Sequence, residues 1–179
     1  MIKNFPLFLL ATMLVFISPV LAAEKKDNAS FVTEKLTVSG LVEHPLTLNV
    51  ADLRQFPLQR IGEEGVVSRE GKTEHTLKNV SGVRLRDILA KAKIVSHDHN
   101  DVKKIAIIVS ASDGYKAVFS WNELFNSSLG DGVLVFFEEN GKPLDDSEGR
   151  LALLSAKDTK TGPRYVKWLQ GISVVKITE

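Results

Sequence analysis

The residues that could do chemistry in this 179-residue chain gather near its C-terminal end. Lys157, Lys160, Arg164, Lys167 and Lys176 fall within 156–176, with one acid, Asp158, among them. Thr159, Thr161 and Gly162 are interleaved with these bases. Ammonium and guanidinium groups beside hydroxyls and open backbone N–H groups are the donor set that a phosphate or another anion needs. Lys157, Lys160, Thr161, Arg164 and Lys167 are therefore candidate anion ligands. His75, in a polar stretch upstream, is a sixth candidate, as a ligand or an acid–base group. The segment 123–148 has the opposite sign, with Glu123, Asp131, Glu138, Glu139, Asp145, Asp146 and Glu148 against the single base Lys142. It could supply a carboxylate pair or an acidic docking face around 138–148.

Other chemistries are poorly served. His97 and His99, with Asp98 and Asp101, have the residue types of a metal site. The segment reads as a polar loop, where spacing guarantees no common face, so no metal is expected. The chain has no Cys, which excludes a disulfide framework, a Cys-ligated zinc, an iron–sulfur cluster and a thiolate nucleophile. It has no H-E-x-x-H, G-x-S-x-G, P-loop or G-x-G-x-x-G motif, and no catalytic residue is assigned. Lys+Arg 23 against Asp+Glu 22 leaves no basic excess for a nucleic-acid partner. A chain that is 44% hydrophobic is too apolar to stay disordered.

Short elements must position these side chains. Leu36 and Val38 alternate with polar residues and predict a strand ending at Gly40; Leu46 to Leu48 is a second extended piece. Asn49 can cap a short helix over 50–55, which Pro57 stops. Residues 57–80 read as a polar hairpin with its turn at Glu70-Gly71-Lys72. Val83, Leu85, Ile88, Leu89 and Ala92 form an apolar stripe at helical spacing. Ile105 to Val109 is a dense β-branched strand, returned through Ser112-Asp113-Gly114 by residues 115–119. Ser120 and Glu123 fit a capping box opening a helix at Trp121. Residues 133–137, 151–154 and 172–177 are the remaining strands, with the long basic loop 155–163 between the last two. Trp168 is expected in the core. No repeat and no βαβ alternation occurs, so the fold class is α+β, mostly β, with mixed sheets and short helices in one domain.

The N-terminus has a separate logic. Lys3 is the only charge in residues 1–23, and an almost continuous apolar run from Phe5 to Val20 leads into Val20-Leu21-Ala22. A charged start, an apolar middle and small residues at the end are the pattern of a secretory leader. Residues 1–22 are expected to be cleaved as a signal peptide, 23–33 to form a flexible lead-in, and 34–179 to form the domain. The protein is then periplasmic or secreted, with no membrane span after cleavage. Met1-Ile2-Lys3-Asn4-Phe5 carries no Arg pair, so the signal is of the Sec type, which passes unfolded chains.

Several segments, in order, resemble the oxidoreductase molybdopterin-binding domain, the fold of sulfite oxidase-like enzymes. The residues from Leu36 to Val42, followed by Leu46-Thr47-Leu48, look like its opening, and Gly82-Val83-Arg84-Leu85-Arg86-Asp87-Ile88-Leu89 like its G-V-x-L-R-D-L-L helix. Ala111-Ser112-Asp113-Gly114-Tyr115 resembles its S-x-D-G-Y hairpin, and Asn140-Gly141-Lys142-Pro143-Leu144 its N-G-x-P-L turn. Arg164-Tyr165-Val166-Lys167-Trp168-Leu169 resembles its R-x-V-K-W-L segment. The resemblance is to short exported members with a single domain. It implies molybdopterin as a candidate cofactor, and it implies that Arg164 and Lys167 help to hold the pterin phosphate. It also implies one Cys thiolate on molybdenum, carried before the G-V-x-L-R-D helix. Residues 60–80 contain no Cys, and Ser68 or Glu64 cannot replace a soft thiolate without changing the metal chemistry. A molybdenum redox centre is therefore not expected. The leading expectation is a non-redox binding module for an anionic, pterin- or phosphate-like ligand or for a partner protein. The alternatives are a molybdopterin oxidoreductase with an unusual ligand set, and a structural subunit of an envelope redox or sensor system.

Overall fold

Two β-sheets share the work of burying this chain's β-branched runs. The computed structural model describes residues 28–178, so the expected leader and residues 23–27 lie outside the described residues. The first sheet contains β1 (Leu36–Gly40), β2 (Leu46–Leu48), β5 (Ile105–Ala111), β6 (Lys116–Ser120) and β10 (Leu169–Lys176), in the order β2-β1-β10-β5-β6. β1 and β10 are parallel and the other neighbours antiparallel, so the sheet is mixed. The second sheet is antiparallel: β3 (Leu58–Val67), β4 (Thr73–Arg84), β7 (Val133–Glu139) and β8 (Lys142–Pro143) in that order, with β9 (Ala152–Ser155) also on β7. The result is one mostly-β α+β domain.

The helices form where caps dictate. Asn49 accepts from the Asp52 N–H and the Asp52 carboxylate accepts from the Asn49 N–H, opening α1 (Val50–Leu53). Ser120 and Glu123 make the same reciprocal pair at α3 (Trp121–Phe125). The apolar stripe is divided between two elements: Leu85, Ile88, Leu89 and Ala92 are the buried face of α2 (Leu85–Ala92), while Val83 belongs to β4. Val83 pairs with both Leu58 and Val135, and this two-sided ladder holds it in the strand.

Alternate residues of β7 feed two cores. Val133, Val135 and Phe137 join β5, β10 and α2 in the larger one. Phe136 joins Val66, Leu77, Val80, Leu144, Ala152, Leu154 and Tyr165 in the smaller one. This second core anchors the long hairpin β3–β4 and the segment 155–168. Residues 28–33 also make tertiary contacts. Phe31 packs on Trp168 with ring centroids 5.4 Å apart, the Ser112 hydroxyl donates to the Phe31 carbonyl, and Thr33 Oγ1 donates to the Leu169 carbonyl at 2.9 Å. Trp168 is half-buried in this contact rather than enclosed in either core. Among the described residues, no helix is long and apolar enough to cross a membrane.

Candidate functional site

The hairpin turn after β3, the turn before β6 and the segment leading into β10 converge on one cleft of about 490 Å³. Its walls are aromatic: Tyr115, Tyr165 and Trp168 all face it. Ser68, Arg69, Glu70, Glu74, Asp113 and Lys167 supply its polar lining. Each wall is tied in place by the chain itself. Thr161, 2% exposed, accepts from the Val67 N–H at 2.8 Å and donates to the Gly65 carbonyl at 2.6 Å. Lys160 Nζ donates to the Arg69 carbonyl at 2.5 Å. Gly162 permits this closeness, since a Cβ there would lie 2.8 Å from the Val67 carbonyl oxygen. On the opposite side Tyr115 donates its hydroxyl to the Pro163 carbonyl at 2.8 Å.

At the floor, a carboxylate is held between a phenol and an ammonium. Tyr165 donates its hydroxyl to Glu148 Oε2, and Lys167 Nζ lies 2.7 Å from Glu148 Oε1. Burial, and then the neighbouring Glu148 charge, push the Tyr165 hydroxyl far above its ordinary range, so the phenol stays a donor. An ammonium carries three donors and Glu148 takes one of them, so Lys167 can still offer N–H groups toward the cleft. The His75 ring packs on Tyr165 at 5.5 Å, which places it beside the floor.

Arg164 faces a different set of partners. Its Nε donates to Asp158 at 2.7 Å, its Nη2 donates to the same carboxylate, and its Nη1 donates to Glu123 at 2.9 Å. The guanidinium also sits 4.4 Å over the Phe119 ring. Hydrogen bonding to Asp158, working against burial and joined by Glu123, keeps its charge firmly in place. For Glu123, burial pushes the carboxyl up, but the Ser120 N–H and Arg164 outweigh it, and the net position is below the usual carboxylate range. The group is a clasp between the basic segment and α3.

The six sequence candidates therefore take separate places. Lys167 lines the cleft, Lys160 and Thr161 build its wall, and His75 supports its floor. Arg164 is in the clasp, and Lys157 Nζ lies 3.7 Å from Asp131, which also pairs with Arg86 at 2.7 Å. The acidic stretch is engaged internally too. Glu138 pairs with Arg54 at 2.7 Å, Glu139 accepts from the Lys78 N–H at 2.9 Å, and Asp146 pairs with Arg150 at 3.2 Å. Asp101, in the His97–Asp98–His99 loop, accepts from the His97 and Asp98 N–H groups and from Lys176. Sequence reasoning missed Tyr115, Tyr165, Arg69 and Glu148 as site residues. Tyr115 and Tyr165 stood inside quoted motifs, but nothing in spacing shows which way a ring faces.

The family model described as oxidoreductase molybdopterin binding domain matches residues 24–179. The chain belongs to the oxidoreductase molybdopterin-binding domain family. A nitrate reductase [NADPH] from Neurospora crassa is 25% identical over 183 residues, covering 89% of this chain and 18% of that protein. The sulfane dehydrogenase SoxCD of Paracoccus pantotrophus has the same fold, with a TM-score of 0.55 and 20% identity over 78% of this chain and 37% of that one. This chain thus spans less than half the length of each of these proteins.

The donor set of this domain does not fit a thiolate-held molybdenum. The chain contains no Cys, and the cleft-facing polar side chains of the hairpin turn and the start of β4 offer oxygen and nitrogen only, from Ser68, Arg69, Glu70 and Glu74. Hard donors of this kind do not substitute for a soft thiolate.

Proposed function

We propose that this chain is an exported, non-redox binding module built on the molybdopterin-binding fold, acting in the periplasm or after secretion. Its ligand is an anionic, pterin- or phosphate-like small molecule taken in the cleft between Tyr115, Tyr165 and Trp168. The observation that carries this reading is Lys167, an ammonium on the floor of an aromatic cleft with Arg69 at the rim. Aromatic faces suit a planar heterocycle, and the two cations suit its charged substituent. The test is thermal melting of the purified protein with inorganic phosphate, with neopterin and with a phosphorylated pterin. A ligand-dependent rise that Lys167→Ala weakens supports the reading. No shift with any of the three counts against it.

Family membership favours a second reading, a molybdopterin-dependent oxidoreductase with an unusual ligand set. Elemental analysis of protein isolated from its native compartment separates the two. Stoichiometric molybdenum or tungsten would replace the binding-module reading with this one. Co-purification of an envelope protein with the native chain would instead support a role as an interaction subunit.

A further inference from the structure

The outer strand of the second sheet has an open edge. β3 is ten residues long, and β4 is its only hydrogen-bonded strand among the described residues. The chain closes one end of that edge itself: Thr161 bonds the Gly65 carbonyl and the Val67 N–H as a neighbouring strand would. From Leu58 to Glu64 no such cover is present among the described residues. A long, unpaired edge is a template for another strand.

The side chains along it say which strand. Arg60 lies on one side of Ile61-Gly62, and Glu63 and Glu64 lie on the other. None of these three makes an ion pair with a described residue. The pattern is its own complement when reversed. An antiparallel pairing about a two-fold axis at Gly62 sets Arg60 of each copy opposite Glu64 of the other, with Glu63 across from Ile61. A parallel arrangement would set like charges together, which opposes it. A Cβ placed on Gly62 would meet nothing within 4 Å, so no side chain crowds the face of the sheet at the strand's centre. Leu58, 44% exposed, adds apolar area at the end of the same edge.

We propose that β3 is a self-association edge, pairing antiparallel with β3 of a second copy of this chain through an isologous two-fold contact. The Arg60 and Glu64 side chains fix its direction and register. The interface is small, so the association is weak and concentration-dependent. This inference does not rest on the cleft or on its ligand.

Sedimentation velocity over a concentration series up to about 200 µM, where weak small-interface dimers populate, tests it. The mass should move from monomer toward dimer, and Arg60→Glu should return it to monomer with an unchanged circular dichroism spectrum. Adding Glu64→Arg to Arg60→Glu reverses both partners and should restore the dimer. Backbone amides from Leu58 to Glu64 should gain hydrogen-exchange protection with concentration in the unaltered protein. A monomer throughout the series, or an Arg60→Glu variant that associates as the unaltered protein does, would overturn the proposal. A different protein's strand protecting these amides, with no self-association, would overturn it as well.

Discussion

Replacing Arg164 with Gln tests whether this residue is a clasp or a ligand holder. The side chain is 19% exposed, Asp158 is 12% exposed and Glu123 is 39% exposed. Leaving a buried carboxylate without its cation costs about 3–5 kcal/mol. Asp158 approaches that case, whereas solvent already reaches Glu123, whose arm is worth under about 1 kcal/mol. Gln can return one neutral hydrogen bond, so the net loss is about 2–4 kcal/mol. For a domain of this size about 2–4 °C of melting temperature accompanies each kcal/mol, which predicts a fall of about 4–16 °C. Urea unfolding should show a lower midpoint with an unchanged slope. The pH dependence has a definite sign. Glu123 is held below the usual carboxylate range in the folded state. Its contribution is therefore present above the unfolded carboxylate pKa and is lost as pH falls through the folded one. The gap between the two proteins should be full at neutral pH and narrow toward acid. A variant that melts within about 2 °C of the unaltered protein would refute the clasp. If it also lost the response to phosphate or pterin, Arg164 would hold the ligand directly.

Three further changes probe the cleft. Thr161→Val strands the Gly65 carbonyl and the Val67 N–H, and should cost about 1–3 kcal/mol in urea unfolding, while Thr161→Ser recovers most of it. Gly149→Ala puts a Cβ 2.9 Å from Trp168 Cα at a φ of +85°, so it should lose more than about 1 kcal/mol and shift Trp168 emission when measured in a Trp121→Phe background. Tyr165 should add to tyrosinate absorbance only when alkaline unfolding releases it; Tyr165→Phe should remove that delayed step alone, and a Tyr165 signal in the folded protein would contradict its burial against Glu148.

Much of the fold was legible because local signals and packing agree. Asn49 with Asp52, and Ser120 with Glu123, are complete caps in the sequence, and both open helices. The β-branched run at Ile105 could only be a buried strand, and it lies between β10 and β6. The hairpin was harder. Its arms look short because polar residues interrupt them, yet β4 runs from Thr73 to Arg84. Asn79, with a φ of 48°, lies inside the strand, and Leu77 and Val80 on either side of it are both buried in the smaller core. Strict alternation cannot describe such a strand, so period-two reading stops too soon. Val83 shows the converse limit, since a helical stripe and a strand end share the same apolar residue, and only the two flanking strands decide between them.

The site was legible in residue type and not in pairing. Composition separates the chain into an acidic stretch and a basic one, which suggests two surfaces of opposite sign. Folding instead brings members of the two stretches together, as Glu123 with Arg164, Asp131 with Lys157 and Glu148 with Lys167 show. A basic run is evidence for an anion site only after its own acids have been accounted for; here Lys157, Arg164, Lys167 and Lys176 all have acid partners, and Lys167 stands apart because its ammonium also lines the cleft. That residue keeps donors toward a cleft whose walls are rings. The ring positions depend on the Thr161 and Lys160 ties, and those contacts span more than ninety residues of sequence, beyond the reach of any local pattern. The module is therefore best tested at its floor, where Lys167→Ala removes the charge and leaves the ties intact.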